Sequence, residues 1–182
     1  MSEDYDPSGT EDTGNESHHT DPYENTIVAE YTDGSTVYTT DADGDGLADQ
    51  VATDYDSDGI IDEAYQDTDG DGRLDTRLVD ANDDGIVDGQ YADTDGDGRV
   101  DDVQLDRNGD GLVDVHGQDT DGDGRIDTVS VDRDYDGDED VRLIDANADG
   151  RVDVVVTDSD GDGVLDTERY VGGARPDPYA SH

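Results

Sequence analysis

Short apolar stretches recur along the chain at a constant interval. Residues 100–105 read VDDVQL, residues 126–131 IDTVSV and residues 152–157 VDVVVT. Each mixes β-branched and polar residues over six positions, which predicts a strand of roughly 20 Å. Residues 26–40, TIVAEYTDGSTVYTT, alternate around Asp33 and Gly34. That alternation predicts a β-hairpin, with a type I′ turn at the Asp-Gly pair.

Between the strands stands one motif. Ten copies begin at Asp41, Asp54, Asp67, Asp80, Asp93, Asp106, Asp119, Asp132, Asp145 and Asp158, each 13 residues after the last. Numbering each copy from that residue, positions 1, 3, 5 and 9 are acidic, with Asn allowed at position 3, and position 6 is Gly. The clearest copies are DTDGDGRLD (67–75), DTDGDGRVD (93–101) and DTDGDGRID (119–127). Four variable residues then lead into the next copy, too few for a flanking helix.

A 26-residue period lies over the 13-residue one. Position 7 is Arg73, Arg99, Arg125 and Arg151 in repeats three, five, seven and nine, but Ile60, Ile86, Leu112, Asp138 and Val164 in the even repeats. Tyr65 and Tyr91 are likewise 26 apart. The unit is therefore a pair of repeats, and the fold class is all-β, an array of short strands and turns. Two arrangements fit: a β-solenoid with two repeats per coil, which the regular columns favour, and an antiparallel meander with odd loops on one edge and even loops on the other. Position 8 is apolar in nine repeats, and Glu139 interrupts it in the eighth. Such columns make too thin a core to offset ordering costs of about 1–2 kcal/mol per residue. Metal binding is expected to supply the difference.

Composition sharpens this picture. Of 182 residues 54 are acidic and 10 basic, all Arg, for a net charge of −44. With few apolar residues this is the composition of a disordered chain, but disordered acidic tracts do not keep a 13-residue phase. The charge argues against nucleic acid as a partner, no apolar run reaches the length of a membrane span, and no secretory signal peptide is visible. The absence of Cys removes disulfides and thiolate metal sites. Residues 1–24 read as a disordered acidic segment, 25–40 as a capping hairpin, 41–170 as the repeat array and 171–182 as a flexible tail.

The motif has the chemistry of a hard-cation loop. Calcium takes six to eight oxygens at about 2.3–2.6 Å, so a chain must curl round it. Short Asp side chains at alternate positions converge from such a curl, Gly at position 6 permits the positive φ of the turn, and the carbonyl of residue 7 adds a ligand. The candidate ligands are Asp41, Asp43, Asp45 and Asp49; Asp54, Asp56, Asp58 and Asp62; Asp67, Asp69, Asp71 and Asp75; Asp80, Asn82, Asp84 and Asp88; and Asp93, Asp95, Asp97 and Asp101 in the first five repeats. In the last five they are Asp106, Asn108, Asp110 and Asp114; Asp119, Asp121, Asp123 and Asp127; Asp132, Asp134, Asp136 and Asp140; Asp145, Asn147, Asp149 and Asp153; and Asp158, Asp160, Asp162 and Asp166. The cofactor expected is Ca2+, at about ten sites. Magnesium, with its strict octahedral demand, fits less well. No repeat has the bidentate acid an EF-hand carries at position 12, so adjacent loops share ligands or water completes the shell.

These loops resemble the Asp-rich calcium repeats of thrombospondin type 3 modules, dockerins and the calcium loops of FG-GAP propeller blades, over residues 41–166. The resemblance implies that positions 1, 3, 5 and 9 are ligands and that calcium plays a structural role, usually outside the cell. No nucleophile elbow, phosphate loop or catalytic triad is present, and the scattered histidines form no set. The expected function is a non-enzymatic calcium-stiffened spacer or interaction module. The alternatives are an intracellular calcium buffer or sensor, consistent with the missing signal peptide, and a cell-surface appendage or secretion partner exported without a leader. The protein partner is unknown.

Overall fold

The computed structural model describes residues 25–171; the readings of residues 1–24 and of the tail beyond 171 fall outside them. The chain forms one open sheet of twelve strands in sequence order, each antiparallel to the next. They are β1 (Thr26–Glu30), β2 (Thr36–Thr40), β3 (Gln50–Asp54), β4 (Glu63–Gln66), β5 (Thr76–Val79), β6 (Gly89–Ala92), β7 (Asp102–Leu105), β8 (Val115–Gln118), β9 (Thr128–Val131), β10 (Val141–Ile144), β11 (Val154–Thr157) and β12 (Thr167–Tyr170). There is no helix among the described residues.

This pairing is the meander, not the solenoid that the columns favour. A coil of two repeats would set strands 26 residues apart side by side and parallel. Here each 13-residue repeat reverses the chain by itself, so strands 13 residues apart are neighbours, as in Tyr65↔Arg77 and Arg77↔Tyr91. The strands also start later than the pattern predicts, at position 10 and not 8. The N–H of position 9 explains why: it closes the loop onto the residue before position 1, as Asp88 does onto the Val79 carbonyl at 2.8 Å.

The 26-residue period has its cause in the backbone. Loops alternate between the two edges of the sheet, so loops two repeats apart are neighbours on one edge. Position 1 of the later loop donates its N–H to the position-9 carbonyl of the earlier, as in Asp80 to Asp62 at 2.9 Å and Asp132 to Asp114 at 2.8 Å. Each edge is thus a stitched column of five loops, odd-numbered on one edge and even-numbered on the other.

The first hairpin forms where the sequence places it, with a different turn. Only Gly34 has positive φ, at 98°; a type I′ turn needs it at two residues. The Tyr31 N–H bonds the Ser35 carbonyl at 2.9 Å and the Gly34 N–H bonds the Tyr31 carbonyl at 3.1 Å. This is the three-residue loop in which glycine takes the left-handed bulge position.

A single sheet has no interior of ordinary kind. The buried apolar residues are Ala52, Ala64, Ala92, Val141 and Val154, whereas the buried carboxylates include Asp54, Asp80, Asp101, Asp106, Asp114, Asp127 and Asp132. The position-8 column is not a core: Ile61, Val87, Val113 and Ile126 are all more than a third exposed. Register separates the two faces, since opposed residues point the same way. Gln104, His116, Ser130 and Arg142 share one face. Val103, Gly117, Val129, Leu143 and Val155 share the other.

Candidate metal centre

Each loop is wound around its first aspartate. One Asp67 oxygen accepts the Gly70 N–H and the other the Gly72 N–H, both at 2.7 Å. Asp80 does the same with Asp83 and Gly85, and Asp158 with Gly161 and Gly163. Position 3 accepts the N–H of position 5, as Asp95 does from Asp97 at 3.0 Å, and position 5 that of position 7, as Asp110 does from Leu112 at 2.9 Å. These bonds pin the carboxylates in a tight curl. Oxygens of Asp41, Asp43 and Asp45 lie within 4.8 Å of one another, as do those of Asp54, Asp56 and Asp58 and of Asp67, Asp69 and Asp71. In two other loops position 9 joins the group: Asp93, Asp95 and Asp101, and Asp119, Asp121 and Asp127.

Position 9 acts first as a latch. Asp101 accepts the N–H of Thr94 at 2.8 Å, and Asp127 that of Thr120 at 2.9 Å. At Asp75 both oxygens are engaged, one by the Thr68 N–H and the other by the hydroxyls of Thr68 and Thr76. Asp114 makes the same latch but is set apart by its burial. It is 2% exposed; one oxygen takes the Arg107 N–H at 2.6 Å, and Oδ1 is buried with no hydrogen-bond partner.

Position 6 has positive φ in all ten loops, as expected, from 81° at Gly163 to 99° at Gly59. Position 4, treated as variable in the sequence, has it as well. Six loops place Gly there, and Ser57, Asp83, Tyr135 and Ala148 adopt the same left-handed conformation at φ 61°, 62°, 64° and 55°. The enrichment of Gly at this position was the signal for it. The backbone at 4 and 6 must turn both N–H groups inward onto the first aspartate, which requires the left-handed region.

Charge is concentrated and only partly compensated. Burial works to raise the carboxyls of Asp106 and Asp119, and the loop amides outweigh it, holding both below the usual carboxylate range. Asp83 and Asp134 go the other way. Burial and then Asp58, Asp56 and Asp62 push Asp83 up, and Asp136 followed by burial pushes Asp134 up. Asp83 therefore faces the second loop, its neighbour on the same edge.

Away from the loops, His116 Nε2 lies 2.6 Å from Asp102 Oδ2. Burial raises the Asp102 carboxyl, but bonds from His116 and Gln104 bring it below its ordinary value. Arg77 sits over the Tyr91 ring at 5.4 Å and pairs with Glu63. The two tyrosines of the 26-residue period thus flank a packed arginine. The chain matches no protein-family model, no curated protein and no solved structure.

Proposed function

We propose that the chain is a non-enzymatic calcium-binding repeat protein, in which ions held in the edge loops stiffen a long, single-layered ribbon that serves as a spacer or interaction module. The observation that carries this reading is the convergence of three carboxylate oxygens within 4.8 Å in successive loops. Two oxygens on opposite sides of a calcium ion stand about 4.6–5.2 Å apart, twice the metal–oxygen distance, so this spacing suits one ion per loop. Asp at positions 1, 3 and 5 would supply side-chain ligands, with the carbonyl of residue 7 and position 9, directly or through water. The cation would also relieve the repulsion built into the fold: ten calcium ions would reduce the net charge from −44 to about −24.

The test is a calcium titration of the chelator-stripped chain, followed by circular dichroism and calorimetry. The strand signal should strengthen with calcium and fall with excess chelator, and calorimetry should count about ten sites. A spectrum and melting temperature indifferent to chelator would sink the reading. Affinity places the protein: an extracellular spacer calls for constants on the order of 10⁻⁵–10⁻³ M, an intracellular sensor or buffer for micromolar or tighter ones.

A further inference from the structure

The two edges of the ribbon are chemically unlike, and the difference lies on the loops themselves. At four places along the edges, the side chain at position 7 of one loop covers the position-6 glycine of the next loop on that edge. Leu47 covers Gly72, and Leu112 comes within 3.4 Å of where a Cβ on Gly137 would stand. Between loops five and seven on the odd edge the covering residue is an arginine. Arg99 Cδ lies 2.7 Å from the corresponding point on Gly124, and its Nη1 donates to the Asp123 carbonyl at 2.8 Å. Its Nε is 4.0 Å from Asp97 in its own loop. The guanidinium therefore stands between two candidate cation positions. Arg73 and Arg125 hold the same sequence position before loops five and nine, but open space stands over Gly98 and Gly150 there.

The even edge has no such cation. Ile60, Ile86 and Leu112 precede loops four, six and eight, and Asp138 brings its carboxylate to 2.8 Å from the same point on Gly163 in loop ten. The arginines in the even loops, Arg107 and Arg133, stand at position 2, and among the described residues their side chains make no hydrogen bond or ion pair. Among the described residues, the two buried carboxylate oxygens without a partner, Asp114 Oδ1 and Asp83 Oδ1, both belong to even loops. Asp114 is the more telling. It is 2% exposed, its other oxygen is fixed by the Arg107 N–H inside the loop, and Oδ1 is a desolvated anion with no partner. A buried carboxylate oxygen left bare is costly unless a cation meets it.

We propose that the loops form two classes of cation site: the even loops, led by loop six, take calcium first and hold it more tightly, and loop seven, seated under Arg99, fills last. This rests on the calcium-binding reading above. A unit positive charge on the order of 8 Å from a divalent ion, in a largely wet dielectric, weakens binding about tenfold. At intermediate calcium, loop seven would then stay empty while the even edge is filled.

The experiment is a calorimetric titration of the full chain, stripped with chelator, with calcium chloride in about 0.1 M salt, where charges are screened beyond about 10 Å. Two phases should be resolved, and R99Q should tighten the weaker about tenfold and leave the tighter unchanged. Arg99 is exposed, and thermal unfolding of R99Q in chelator checks that losing its bond to the Asp123 carbonyl leaves the fold in place. In parallel, D114A should remove one site from the tighter phase, and raising the salt should narrow the gap between phases. A single class of equivalent sites, or an R99Q variant with the wild-type isotherm, overturns the two-class proposal and leaves calcium binding standing. No binding heat at any calcium concentration overturns the calcium reading itself.

Discussion

The left-handed residue at position 4 sets a quantitative test of how the loops are built. Ala148 occupies it at φ 55°, a conformation that costs an L-residue about 1–2 kcal/mol. Replacing it with Gly removes that strain, and the greater freedom of glycine in the unfolded chain gives back about 0.4–1 kcal/mol. The net expectation for Ala148→Gly is a gain of about 0.5–1 kcal/mol, which in a chain of this size raises the melting temperature by roughly 1–4 °C. The reciprocal change is available in loop ten. Gly161 has φ 72° and open space where a Cβ would go, so Gly161→Ala meets no clash and measures backbone strain alone, a loss of about 1 kcal/mol. Both are read by thermal and urea unfolding at one saturating calcium concentration, so that metal linkage does not differ between variants. The reasoning fails if the two substitutions move stability in the same direction, or if Ala148→Gly is destabilising.

Other expectations concern the carboxylates. Asp69→Asn should lower the calcium stoichiometry by one and leave the calcium-free chain almost as stable as before. Asp75→Asn, which takes acceptors from Thr68 and Thr76, should instead destabilise the calcium-free chain by about 1 kcal/mol, seen in urea unfolding with chelator present. Stability of the calcium-free chain should depend on pH in two opposing ways. Asp83 and Asp134 are raised, so protonating them as pH falls through their folded values adds stability; Asp106 and Asp119 are depressed, so their contribution is full above the ordinary 3.8 and is lost as pH falls through their lower folded values. Thermal melts in chelator from neutral pH downward should therefore rise before they collapse, and a monotonic fall from neutrality would contradict this. Glu63 accepts a bond from the Tyr55 hydroxyl, which is the main cause of that phenol's raised pKa. Glu63→Gln should return the Tyr55 titration toward 10.0 in a difference spectrum against wild type, and cost no more than about 1 kcal/mol at this surface pair.

Much of this was legible from spacing, and what was missed has a common cause. The 13-residue phase located ten loops, and the position-7 alternation identified pairs of repeats. Both follow from side-chain identity. The choice between coil and meander depends on where the backbone turns, and a 26-residue column looks the same in either. The decision lay in the bond from Asp88 N–H to the Val79 carbonyl and its nine counterparts, between residues whose types do not announce it. Strand starts slipped from position 8 to 10 for the same reason. Position 4 was concealed because Ser57, Asp83, Tyr135 and Ala148 break the glycine column, although each obeys the same backbone rule at its own cost in strain. At Asp33 the dipeptide pointed to a hairpin correctly and to the wrong turn, since Asp-Gly serves a three-residue loop as well as a two-residue one.

The energetics of the ribbon turn on what it buries. A globular domain hides apolar side chains and leaves its carboxylates in water; here Asp54 and Asp114 are the most completely buried large side chains, and the aliphatic residues at position 8 lie open. Hydrophobic area cannot then be the leading source of stability, and each loop must be held by bonds to its own aspartates and by a counter-charge. Because strands touch only their sequence neighbours and loops are stitched to those two repeats away, losing the charge balance of one loop weakens two strands and one edge contact on either side, with no central core to spread the loss. Such an array frays from a defect outward. Asp114→Ala in the middle of the even edge should accordingly raise hydrogen-exchange rates first in β7 and β8 and at the Asp106 and Asp132 amides that stitch its loop to its neighbours, and leave those of β2 and β3 unchanged. Uniform acceleration along the whole sheet would show that the ribbon opens as one unit and that this local account of its stability is wrong.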